Sequence, residues 1–133
     1  MADFLTAYKK TALNEGGWNH VPGDRGGETY KGIARNFFPN WPGWKVIDKL
    51  KPLMHGAIIN DTDLNYQVHQ FYIDIFWSRI RGNDIESQEV ADSLYDSAVN
   101  FGVKAAVKLI QRSLQLTETG SVSNFLITKL NNQ

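Results

Sequence analysis

The chain contains no cysteine, which excludes a disulfide framework, a thiolate nucleophile and a zinc–thiolate site. It has no excess charge of either sign, since 14 Lys and Arg balance 14 Asp and Glu. A dedicated nucleic-acid binder carries a basic excess, so no nucleic-acid partner is expected. No apolar run approaches the ~20 residues of a membrane-spanning helix. The first ten residues, from Met1 to Lys10, lack the basic head and apolar run of a signal peptide. The expectation is a product made in the cytoplasm, with no membrane insertion, that reaches an outside target only after release or export. His20, His55 and His69 lie far apart and form no ligand spacing such as His-Glu-x-x-His, so no metal and no cofactor are expected.

What is present is ordinary globular usage, with 42% hydrophobic and 21% charged residues over 133 positions, enough for one domain with a core. Aromatics reach 12%, with four Trp. Core packing is the common use of such rings, and stacking on sugars is the other. Residues 1–52 hold eight basic and five acidic side chains, and residues 53–133 hold six and nine. A modestly basic first half suits an anionic polymer, although scattered surface charge accounts for it equally.

Periodicity places a helix over Asp3–Asn14, with Phe4, Leu5, Tyr8, Ala12 and Leu13 inward and Gly16 as the stop. Glu15 then sits at a helix C-terminus, where the dipole disfavours its charge and tends to raise its pKa. The run Pro22-Gly23-Asp24-Arg25-Gly26-Gly27 marks a small β-hairpin between Trp18 and Tyr30. Helical pieces follow near Ile33 up to Pro39 and over Lys45–Leu50. Thr62 is expected to cap a helix running to about Arg81, with Leu64, Val68, Phe71, Tyr72 and Ile75 inward and Gly82 as its end. Ser87 is expected to cap another, with Val90, Ala91, Leu94, Tyr95, Ala98 and Val99 as its apolar stripe. Gly102 breaks the pattern, Val103–Leu114 resumes it, and a last helix follows Thr119-Gly120-Ser121. Because that helix reaches Gln133 without a stop signal, a further C-terminal segment is expected. The fold class is mainly α, an α+β arrangement with a small hairpin next to the first helix.

The chemistry-bearing stretch runs from Asn14-Glu15-Gly16-Gly17-Trp18 to Asp24-Arg25-Gly26-Gly27-Glu28-Thr29 and Lys31-Gly32-Ile33. Cutting a glycosidic bond needs one carboxyl held protonated and a second held ionised. The helix end offers Glu15 the first setting, and the open turn offers Asp24 the second. Thr29 could hold the attacking water. Residue types alone leave a plainer alternative open, in which Glu15 is an exposed helix-end residue and Asp24 a turn-former. Trp18 and Tyr30 flank the carboxylates and are candidates for stacking on sugar rings, with His20 beside them. Trp77 lies on an apolar helix and reads as core. Asp96 and Asn100, four apart, read as buried supports for the active-site loop.

These motifs resemble the N-acetylmuramidases of glycoside hydrolase family 108, whose signature runs Glu-Gly-Gly-aromatic, Asp-x-Gly-Gly-x-Thr, Gly-Ile. Phe76-Trp77 and the helix Ala91–Gly102, ending in Asp96-Ser97-Ala98-Val99-Asn100-Phe101-Gly102, extend the match, and Ala105–Leu114 resembles the start of a helical peptidoglycan-binding region. The resemblance implies a lysozyme-like fold, with residues 1–101 catalytic and 102–133 opening the binding region, packed as one unit. It implies cleavage of the β-1,4 bond between N-acetylmuramic acid and N-acetylglucosamine in peptidoglycan glycan strands by a monomer, with Glu15 as acid. The order Glu15, Asp24, Thr29 also resembles the triad of phage T4-type lysozymes, with the Asp-to-Thr gap one residue shorter here. A lytic transglycosylase, which leaves anhydro ends, is one rival. A non-catalytic wall-binding or secretion-accessory protein is the other, since some relatives are labelled secretion activators.

Overall fold

The computed structural model describes residues 1–12 and 16–133. They form six α-helices and a three-stranded antiparallel sheet, an α-dominated, lysozyme-like α+β fold. By contact the chain divides into two compact units, one of residues 1–11 and 72–133 and the other of residues 12–71.

In the first unit, α1 (Phe4–Ala12) starts at Asp3, whose carboxylate accepts the Thr6 N–H at 3.0 Å as an N-cap does. The buried stripe is Phe4, Ala7, Tyr8 and Thr11, whereas Leu5 is exposed. The expected Leu5 and Ala12 stripe therefore turns by one position, as a 3.6-residue period starting at Phe4 requires. Helix α4 (Gln88–Phe101) is capped by Ser87 as expected, its Oγ accepting from Val90 N–H. It buries Ala91, Leu94, Tyr95 and Ala98, while Val90 and Val99 are half-buried. Two side-chain pairs fasten α1 to α4: Lys10 Nζ to Asp92 at 2.6 Å and Thr11 Oγ1 to Asp96 at 3.0 Å. An aromatic cluster of Phe4, Tyr8, Tyr72, Phe76, Trp77 and Tyr95 fills the space among these elements, ring centroids 5.6–6.0 Å apart. Gly102 (φ 92°) separates α4 from α5 (Val103–Ser113). The buried Gln111 of α5 clamps the loop before α6 (Asn124–Asn131), donating to Thr119 Oγ1 and accepting the Gly120 N–H.

The stretch expected as one helix from Thr62 to Arg81 is divided. Helix α3 (Thr62–Tyr72) is capped by Asp61, whose carboxylate accepts the Leu64 N–H at 2.8 Å, not by Thr62, which is already helical. From Ile73 to Trp77 the helix widens to a π-turn, with Ser78 N–H reaching the Ile73 carbonyl, and Arg81 (φ 54°) turns the chain out. Trp77 is core, as its helix suggests, and its ring lies so close to Gly82 that a Cβ there would fall on the indole.

In the second unit, β1 (Trp18–His20), β2 (Glu28–Tyr30) and β3 (Ile33–Ala34) form the sheet in that order. The expected helical piece at Ile33 is thus a strand followed by turns. Lys31 (φ 46°) and Gly32 (φ 81°) make a two-residue reversal of the kind that matches strand twist, pairing Ile33 with Tyr30. Helix α2 (Gly43–Leu50) begins two residues earlier than the expected Lys45. Its Trp44, with Trp41, Ile47, Leu64, Val68 and Phe71, joins Tyr30 and Ile33 in the core of this unit.

Candidate active site

Gly17 permits the approach that places the sheet. A Cβ there would fall on the Ala57 carbonyl, and Trp18 exchanges hydrogen bonds with this same turn, its N–H to Ala57 and its carbonyl from Gly56 N–H. With β1 so fixed, the register Trp18↔Tyr30, Asn19↔Thr29, His20↔Glu28 sorts the side chains between two faces.

One face carries Trp18, His20, Glu28, Tyr30 and Ile33. Glu28 is nearly buried and collects three donors: Trp18 Nε1 at 2.7 Å, Arg35 Nη1 at 2.6 Å and Lys51 Nζ at 2.8 Å. Arg35 also grips Asp48 with both terminal nitrogens, at 2.7 and 2.9 Å, and Lys51 reaches Asp48 at 3.0 Å. Burial alone would raise the Glu28 pKa, but the bonds from Lys51, Trp18 and Arg35 outweigh it and hold the carboxyl below the ordinary glutamate value. Arg35 and then Lys51 likewise hold Asp48 well below the usual carboxylate range.

The opposite face carries Asn19, Thr29 and Ala34, paired across the strands. Asp24 borders it: its Oδ1 accepts the Gly26 N–H at 3.1 Å, and a Cβ built on Gly26 would stand 3.0 Å from Ala34 Cβ and 3.9 Å from that Oδ1. Asp24 is exposed and Thr29 half-buried. The Asn19 Oδ1 is buried without a hydrogen-bond partner among the described residues.

The residues named from the sequence therefore divide. Asp24 lies in the turn that borders the Thr29 face, and Trp18 and His20 lie together on the other, ring centroids 6.5 Å apart. Glu15 lies outside the described residues. Tyr30 is corrected: it is fully buried and its hydroxyl accepts the Ile59 N–H at 3.1 Å, so its ring is core and offers no face to a sugar. Asp96 and Asn100 are also corrected. Asn100 is exposed and bonds to Asp96, whose other oxygen takes Thr11 of α1 rather than the hairpin. Three of the four Trp, at 41, 44 and 77, are core.

The profile of the family described as "Glycosyl hydrolase 108" matches residues 8–102, most of the chain and all of the stretch from Glu15 to Thr29. The chain belongs to glycosyl hydrolase family 108. None of the curated proteins matches it. Among solved structures, SagA of Brucella abortus is similar in fold, with TM-score 0.65 and 20% identity over 98% of this chain and 69% of that one. The Glu28 cluster is not foreseen in the sequence, where Glu28 reads only as part of a motif. The available signal was strand alternation, which puts Glu28 beside Trp18 and away from Thr29.

A second feature lies within the first unit. A groove of about 920 Å3 is lined by Phe76, Arg79, Phe101, Lys104, Lys108 and Ser121, among others. It brings together three cationic side chains and no carboxylate. No described helix is long and apolar enough to cross a membrane.

Proposed function

We propose that this chain is a muramidase that hydrolyses the β-1,4 bond between N-acetylmuramic acid and N-acetylglucosamine in peptidoglycan. In this reading Glu15 gives its proton to the leaving oxygen, and Asp24 takes one from water or stabilises developing charge, with Thr29 holding the water. Attack by a held water gives inversion at the anomeric carbon. The observation that supports the reading is the family match over residues 8–102, the range that includes Glu15, Asp24 and Thr29, joined to the turn that sets Asp24 near Ala34, the partner of Thr29. Trp18 and His20 remain the candidates for substrate contact, and residues 102–133, with the cationic groove, fit a wall-binding role on an anionic polymer. In this scheme the protein acts on the wall after release or export.

The test is digestion of purified peptidoglycan by the wild type and by Glu15→Gln, with products read by mass spectrometry. Reducing muramic ends from the wild type, and their loss by about 10²-fold or more in a folded Glu15→Gln, are expected. Anhydro ends would replace the hydrolase by a transglycosylase, and undiminished wall clearing by Glu15→Gln would leave only an accessory role.

A further inference from the structure

The turn that follows β3 is stitched to the turn that holds Asp24. Asn36 donates its backbone N–H to the Gly26 carbonyl at 3.0 Å and its side-chain amide to the Arg25 carbonyl at 3.0 Å. Gly27 makes the room, since a Cβ there would fall on the Asn36 amide. The next residue, Phe37, is thereby set against the Asp24 turn. A Cβ built on Gly26 would stand 3.8 Å from Phe37 Cε2 and 3.9 Å from Asp24 Oδ1. Both atoms lie within 4 Å of that one point, so less than twice that distance separates the ring edge from the carboxylate.

Phe37 is 64% exposed, whereas its neighbour Phe38 turns inward and meets Phe71 edge-on, ring centroids 4.8 Å apart. The core thus takes one ring of the pair. The turn itself uses only the backbone of Phe37, whose N–H bonds to the Ala34 carbonyl at 3.2 Å, and a polar side chain serves such a turn as well. Exposed rings scattered singly are common on proteins. What sets this one apart is its address, beside the exposed carboxylate that the muramidase reading puts to use. Trp18 and His20 lie on the other face of the sheet and Tyr30 is buried, so the ring that flanks Asp24 is Phe37.

The substrate supplies a use for a ring there. The sugars of a peptidoglycan strand carry their large substituents near the plane of the ring, which leaves flat faces of C–H groups above and below. An aromatic side chain covers such a face and buries apolar area, while a few polar groups at its edge fix the orientation of the sugar. An exposed ring with a carboxylate at its edge has that form.

We propose that Phe37 is a substrate-binding residue, the platform on which one sugar of the glycan strand lies while Asp24 faces the same strand. This deepens the muramidase reading and rests on it. A flat apolar contact holds substrate and transition state alike, so its loss raises KM and leaves kcat in place.

The test is affinity for soluble, peptide-free glycan strands of peptidoglycan, measured by calorimetry in the Glu15→Gln protein so that none is consumed. Adding Phe37→Ala is expected to weaken binding about five- to thirtyfold, and Phe37→Trp, which keeps a flat ring, to stay within about threefold of the parent. In the otherwise wild-type chain, Phe37→Ala should raise KM by a similar factor, with kcat within about twofold and Tm within about a degree or two. Strand binding by Phe37→Ala within about twofold of its parent, or a loss that persists in Phe37→Trp, overturns the proposal. A lower Tm with affinity per folded molecule intact overturns it as well. A wild type that cleaves no strand sinks the muramidase reading instead. Strand affinity needs no turnover, so the Phe37 variants still decide whether a glycan lies there.

Discussion

The two faces of the three-stranded sheet are built from the same eight residues of strand and differ in almost everything else. On the Trp18 face polar groups are answered: Glu28 has three donors, the Trp18 indole N–H has Glu28, and the Tyr30 hydroxyl has Ile59. Beside the Asn19 face, an amide oxygen has no hydrogen-bond partner among the described residues, and the Asp24 carboxylate accepts one backbone N–H while exposed to water. A folded chain gains stability by satisfying polar groups, and a reactive site needs groups still able to accept a substrate or a proton. The difference teaches that the carboxylate most strongly perturbed by its neighbours on this sheet, Glu28, is the structural one. The candidate for chemistry is Asp24, exposed in the turn beside the other face.

Substitutions on each face should therefore separate activity from stability, and three tests press on that division. The largest effect is expected at Asp24→Asn, which should lower wall hydrolysis by about 10²- to 10⁴-fold while Tm stays within a degree or two. A large fall in Tm would place Asp24 with the structural residues. Next comes Glu28→Leu, which strips three donors of their acceptor. We expect a loss of about 1–3 kcal/mol in urea unfolding, at the low end because Arg35 and Lys51 are about a third exposed and keep Asp48. Activity per folded molecule should change little, and a hundredfold loss there would erase the contrast between the faces.

The smallest effect is in pH. The folded Glu28 pKa lies below its unfolded value, so its contribution is complete above the ordinary glutamate range and is lost as pH falls through the folded pKa. Wild type should lose Tm more steeply than Glu28→Leu as pH drops from about 5 toward 3. Parallel curves would show that Glu28 titrates alike in both states.

Much of this was legible in the chain. The hairpin follows from Pro22–Gly27, the cap at Ser87 from its place before an apolar stripe, and the break at Gly102 from a residue suited to φ 92°. What escaped were features set by distant partners or by local reversal. Lys31-Gly32 turned Ile33 into a strand, where its apolar neighbours alone read as helix. Asp61 took the cap from Thr62 by a shift of one residue, and the widened turn at Ile73–Trp77 has no periodic signature. Tyr30 was misplaced because an aromatic beside a glycine-rich turn looks the same whether it faces solvent or the core. The pleat decides that, and it depends on register.

The first unit is made of the two ends of the chain, and this has a consequence for how the molecule is made. Helix α1 finds its partners about eighty residues later, Ala2 at Ile85, Lys10 at Asp92 and Thr11 at Asp96. During synthesis at roughly 5–20 residues per second, that helix must wait several seconds before α4 exists to receive it. The middle unit has all its own strands by then and can close first. The hairpin is thus available for assembly before the first helix is docked, and α4 is the element whose emergence lets that helix dock.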